Sequence, residues 1–158
     1  MQVRLKPDPR STVRALGLLH GYGQRSRDWD DAAVTLDLMP GSFAVCRLES
    51  DAVVPVWASS GPFSSITRTP AELSIVCATE HVPAAAPAER GFRALAVRGP
   101  LDFGLVGVVA QLSGALAAAS ISIFVVSTHD TDYLFVRDTD LDRAAAALRA
   151  AQHTVVTS

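Results

Sequence analysis

The stretch FRALAVRGPLDFGLVGVVAQLSGALAAASISIFVVSTHDTDYLFV, residues 92–136, decides the fold. Phe92 to Arg98 alternates in the two-residue rhythm of a strand, and Gly99-Pro100 ends it. Leu105, Val108, Val109, Leu112 and Leu116 then fall at i, i+3, i+4, i+7 and i+11, one face of a helix. Ile121 to Ser127 is apolar and rich in β-branched residues. His129-Asp130 reads as a tight turn, and Thr131 to Val136 as the returning strand. Just beyond the stretch, Asp138 or Asp140 can cap a second helix that runs through Ala150, and His153 to Thr157 is a last short strand. The order βαββαβ predicts an α+β, ferredoxin-like unit over residues 92–158.

Upstream the signals weaken. Residues 79–91, TEHVPAAAPAERG, contain Pro83 and Pro87 and end in glycine, so they read as a linker loop. Residues 34–78 contain short β-like runs at Phe43 to Leu48, Phe63 to Thr67 and Glu72 to Cys77. Val53 to Trp57 is a further such run, weakened by Pro55. This segment reads as a degenerate copy of the same unit, its helices shortened. Residues 1–33 show little periodicity and carry a net charge of +2, which leaves −4 on residues 34–158. A poorly ordered N-terminal extension is expected there.

The whole chain has 158 residues, is 49% apolar and has a net charge of −2. That is enough apolar material for a packed core, and it lacks the basic field that nucleic acid or an anionic membrane attracts. The most apolar region, Leu101 to Val126, is interrupted by Asp102, Gln111, Ser113, Ser120 and Ser122 and does not read as a bilayer span. A cytoplasmic protein with neither nucleic-acid nor membrane partners is the expectation. Cys46 and Cys77 form no CxxC pair and alternate with apolar neighbours, so buried thiols are expected. The histidines, at 20, 81, 129 and 153, lack a metal-ligand spacing, and the common nucleotide and metalloprotease motifs are absent, so no metal or cofactor is expected. Leu18 to Trp29 resembles the His-Gly loop of α/β-hydrolases, but no G-x-S-x-G elbow follows and the chain is too short for that sheet.

The start of the first helix suits an amino acid. A helix leaves its first N–H groups unpaired and adds positive potential there, which favours a carboxylate. Gly104 and Gly107 let a ligand approach the backbone. An ammonium needs acceptors, and Asp102 precedes the helix while Asp130 and Asp132 lie at the strand turn that the topology brings near. Each has a plainer role open to it: Asp102 as a cap, Asp130 and Asp132 as turn residues.

The runs LMPG at 38–41, FAVCRL at 43–48, FSSITRTPAELSIVC at 63–77, RGPLDFGLVGVVAQLSGALAAASIS at 98–122 and IFVVSTHDTDYLFV at 123–136 together resemble the ACT-domain family. The likeness is closest to the paired-ACT subgroup that includes the CASTOR arginine sensors and short bacterial homologues. Its most specific element is Ser127-Thr128-x-x-Thr131-Asp132-Tyr133. The resemblance implies a non-enzymatic regulatory homodimer that binds a small amino-acid-like ligand between domains and acts on an effector protein. Carried over, Gly107, Val108, Thr128, His129 and Asp132 form one side of the site, and Ser122 and Ile123 of a second copy form the other; Asp102 joins the candidate ligand residues from the helix-start argument alone. Where the arginine sensors have an acidic residue one turn into the helix, this chain has Leu105, so a smaller or apolar amino acid is expected. The alternatives are a structural or interaction module without a ligand and, third, a small enzyme using Asp102, Asp130 or Asp132.

Overall fold

The computed structural model describes residues 33–102 and 104–157. The N-terminal extension expected over 1–33 falls, except for Ala33, outside the described residues. The strands are β1 (Thr35–Leu38), β2 (Phe43–Leu48), β3 (Ser64–Arg68), β4 (Leu73–Ala78), β5 (Ala88–Val97), β6 (Ile123–Ser127), β7 (Asp132–Arg137) and β8 (Thr154–Val156). The helices are α1 (Val108–Ala118) and α2 (Leu141–Ala150), with 3-10 turns at Val56–Ser59, Thr79–His81 and Asp138–Asp140.

All the strands join in one sheet, and the ten-residue β5 is its spine. Along one edge β5 pairs first with β2 and then with β1; along the other it pairs with β7, which carries β6. The C-terminal half, β5-α1-β6-β7-α2-β8, has the predicted ferredoxin-like order. One strand intrudes: β1, from the segment read as the first unit, lies between β5 and β8, antiparallel to the former and parallel to the latter. The N-terminal half runs β2, 3-10 turn, β3, β4, 3-10 turn, β5, with strand order β3-β4-β2-β5.

Three apolar clusters follow from strand alternation. Val108, Leu112 and Leu116 of α1 and Ala144, Ala145 and Leu148 of α2 pack on Leu36, Leu95, Val97, Leu134 and Val136. In the N-terminal half, Ala44, Cys46, Leu73, Ile75 and Cys77 pack beneath Ala58 and Val82. The remaining face of both half-sheets turns inward on an aromatic cluster of Phe43, Phe63, Phe92 and Phe135. Phe63 meets Tyr133 at 4.6 Å between ring centroids, and Phe43 meets Phe135 edge-on at 5.6 Å, so the two half-sheets curl toward each other across this cluster.

Several expected elements are corrected. The strand read at Val53 to Trp57 is absent; a 3-10 turn begins at Val56, and Val53 is left exposed. Pro55 removes a ladder donor where the pattern asked for one. The loop read through 91 ends earlier, because Ala88 already pairs with Cys46 in β5. The first helix starts at Val108 with Gly107 as its N-cap, so Leu105 of the periodic face lies before it, and Ile121 is a buried residue after it, with β6 starting at Ile123. Asp140 occupies the α2 N-cap but makes no capping bond; its carboxylate takes Arg143 at 2.6 Å instead.

Candidate functional site

A cavity of about 330 Å³ opens between the start of α1 and the β6–β7 turn. Its floor is made by two segments held together through the backbone. Leu101 N–H donates to the Asp130 carbonyl at 2.8 Å, and Thr131 Oγ1 donates to the Val97 carbonyl at 2.5 Å. The approach is close enough to exclude any side chain at Gly99, where a Cβ would stand 2.8 Å from the Asp130 carbonyl oxygen.

On one wall, Asp102 Oδ1 accepts from the Gly104 N–H at 2.6 Å and its carbonyl accepts from Leu105 N–H at 2.9 Å. Asp102 therefore caps the turn before the helix rather than the helix itself. Gly107 sits at the N-cap with φ 93°, and Gln111 N–H donates to its carbonyl as the helix begins. The positive φ explains why the helix cannot start earlier: the chain must reverse at Gly107 before it can wind. A glycine cap has no side chain to satisfy the first-turn N–H groups of Val108 to Ala110, so that end stays open to an anion.

On the other wall, the β6–β7 turn is closed by Thr128 N–H donating to the Thr131 carbonyl at 2.8 Å, reinforced by Thr128 Oγ1 on the same carbonyl at 2.9 Å. Ser127 and Asp132 face each other in register, and Ser127 Oγ donates to Asp132 Oδ1 at 2.5 Å. Asp130 pairs with the neighbouring His129 at 2.7 Å. No lysine or arginine is among the lining residues, while Asp102, Asp130 and Asp132 all are. Leu101, Leu105 and Val109 supply the apolar part.

Of the residues expected at the site, Asp102, Gly107, Val108, Thr128, His129 and Asp132 line this one cavity. Ser122 and Ile123 do not; they lie at the opposite end of β6, as residues assigned to a second copy would. Sequence reasoning passed over Ser127 and Thr131 as ligand-side residues. Their signal was present: a four-residue turn between two strands places Ser127 directly across from Asp132.

The sequence model of the ACT domain matches residues 88–150. This segment of the chain is an ACT domain. A second family model, for an N-terminal domain, matches residues 41–85, so the ACT domain here carries a recognised neighbour. Among solved structures, a protein from Agobacterium tumefaciens is 37% identical, with a TM-score of 0.77 over 80% of this chain and 95% of that one. A Vibrio cholerae protein described as of unknown function and a possible transport protein is 23% identical, with a TM-score of 0.63 over 75% and 90% of the two chains. The ligand-free regulatory subunit of aspartate kinase from Thermus thermophilus has the same fold at 12% identity, with a TM-score of 0.52 over 76% and 97%. No curated protein sequence matches the chain.

Proposed function

We propose that this ACT-domain chain is a non-enzymatic regulator that binds a small amino-acid-like metabolite in the cavity between α1 and the β6–β7 turn, completed by a second copy. The observation that supports it is one cavity with an open helix N-terminus and Asp102 on one wall and the carboxylate of Asp132 on the other. A zwitterion fits that field: its carboxylate takes the first-turn N–H groups, and its ammonium takes Asp132, displacing the Ser127 hydroxyl. The ligand's side chain then meets Leu101, Leu105 and Val109, which favours a short or apolar amino acid over arginine.

The second copy enters through β6. That strand pairs with β7 alone, so its other edge presents free backbone groups. Two β6 edges meeting antiparallel bring Ser122 and Ile123 of the partner subunit to the Ser127 end of this chain, beside the cavity. This is the homodimeric, CASTOR-like arrangement, and in this reading occupancy of the site is passed in the cytoplasm to a separate effector protein. A regulator needs a ligand that binds one arrangement better than another, and a site shared between copies supplies that difference.

Thermal unfolding against the twenty amino acids, with the oligomeric state measured by light scattering, tests the reading. A ligand at ~100 times its dissociation constant contributes roughly 2.7 kcal/mol, a shift of several degrees. The expected result is a selective, saturable shift on a dimer, abolished by Asp132→Ala. A folded dimer that no amino acid stabilises would instead favour an oligomerisation or interaction module built on the β6 edge.

A further inference from the structure

The curled sheet leaves a second cavity, of about 620 Å³, on its concave face between the edge strands β3 and β6. It shares only Ser127 with the amino-acid cavity and does not depend on that reading. Its size lies within the range of small-molecule sites.

The two sides of this trough differ in chemistry. Register puts Ser65 opposite Val76 and Thr67 opposite Ser74, so three hydroxyl side chains enter from β3 and β4 where a simple core would place apolar ones. Facing them are Val45, Phe92, Phe124 and Val126. Phe124 is stacked parallel on Phe135 at 4.5 Å and meets Phe92 edge-on at 5.0 Å, so that wall is rigid and aromatic. Among the described residues the one charged lining residue is Glu89, whose carboxylate is held by Arg137 at 3.0 Å. An anion entering here meets a carboxylate and no lining cation, whereas a neutral or cationic group meets hydroxyl and carboxylate acceptors.

We propose that this trough is a second small-molecule site, for a planar apolar ligand that carries a neutral or cationic hydrogen-bonding group. The aromatic wall takes the ring face, and Ser65, Thr67 and Ser74 take the polar edge.

The test uses N-phenyl-1-naphthylamine, a neutral amine with a planar naphthalene ring whose fluorescence rises in apolar surroundings, with the full chain. The expected result is saturable binding at about one probe per chain. Thr67→Trp, on an exposed edge-strand position, fills the trough and weakens that binding by about tenfold or more, which is about 1.4 kcal/mol, while moving the melting temperature by no more than about 2 °C. Ser65→Phe serves as the second variant should the first misfold. An anionic counterpart, anilinonaphthalene sulfonate, binds at least about tenfold more weakly to the wild-type chain. No saturable binding, or binding that both folded variants leave intact, overturns the site. Equal, variant-sensitive binding of the anionic probe overturns the ligand class.

Discussion

Two glycine-to-alanine changes in the α1 segment have opposite expected signs, although both positions leave room for a methyl. Neither Gly107 nor Gly114 has any atom within 4 Å of where a Cβ would stand, so sterics with neighbours drop out. Gly107 is at φ 93° at the N-cap, while Gly114 lies inside α1. Forcing an L-residue into the left-handed region costs about 1–2 kcal/mol, partly offset by about 0.4–1 kcal/mol of lost freedom in the unfolded chain. Gly107→Ala therefore destabilises by about 1 kcal/mol. In a helix interior alanine is better than glycine by about 0.8–1 kcal/mol, so Gly114→Ala stabilises by nearly that much. The difference between the variants is about 2 kcal/mol, or about 8 °C in melting temperature at roughly 4 °C per kcal/mol for this size. Urea denaturation with equal slopes for wild type and both variants is the assay of choice. Two changes of the same sign would refute the placement of Gly107 as the left-handed residue that starts the helix, and with it the open N-terminus on which the amino-acid site rests.

Other consequences are equally measurable. His153 is buried, its Nδ1 accepts from the Val34 N–H at 3.4 Å, and burial pushes its pKa below the usual histidine value. The unfolded chain then binds the proton more readily, so stability is full above about pH 6.5 and declines as pH falls below it; His153→Gln flattens that part of the pH-stability curve. Gly99→Ala drives a methyl toward the Asp130 carbonyl and is expected to raise amide exchange at Leu101 and across residues 128–131, loosening the site without touching its side chains. Burial and the neighbouring Cys46 hold the Cys77 thiol up at about 11, against the smaller lowering by Arg90, so Ellman's reagent is expected to leave both cysteines unmodified at pH 8 until urea unfolds the chain.

The C-terminal half was legible because its periods are strong. Leu112 and Leu116 are fully buried on the face the spacing predicted, and the strand runs on either side kept their register. What the sequence hid was non-local or backbone-driven. The pairing of Thr35 with Thr154 joins residues far apart in the chain, and nothing in either short strand announces the other. Both helices end on left-handed non-glycine residues, Ser120 and Gln152, with the bonds from Ile121 to Leu116 and from His153 to Leu148 closing the last turns. Without a glycine at those ends the stop signals were silent. The cavity was partly legible: residue type singled out Asp102, Gly107 and Asp132, which line it, while the bond that holds Asp132 to Ser127 follows from the strand register across the turn.

The shared strand β5 ties the ACT unit to a neighbour that has 3-10 turns where the ACT unit has helices. Because β1 and β2 follow one another along β5, the two half-sheets share a spine and cannot move as independent bodies. Strand β6 hangs from the other side of that spine, through β7 alone. Its C-terminal residue, Ser127, lies on the rim of both the amino-acid cavity and the trough. A ligand that takes Asp132 away from Ser127 therefore acts on the one strand whose free edge, trough wall and site rim coincide. Strand β6 is the one described strand that lines both cavities. Asp132→Asn keeps an acceptor for Ser127 while removing the charge that an ammonium needs. It is expected to leave the ligand-free melting temperature nearly unchanged and to weaken amino-acid binding by about 10- to 100-fold, the worth of one charge-assisted hydrogen bond. An unchanged affinity would place the ammonium elsewhere and remove β6 from the route.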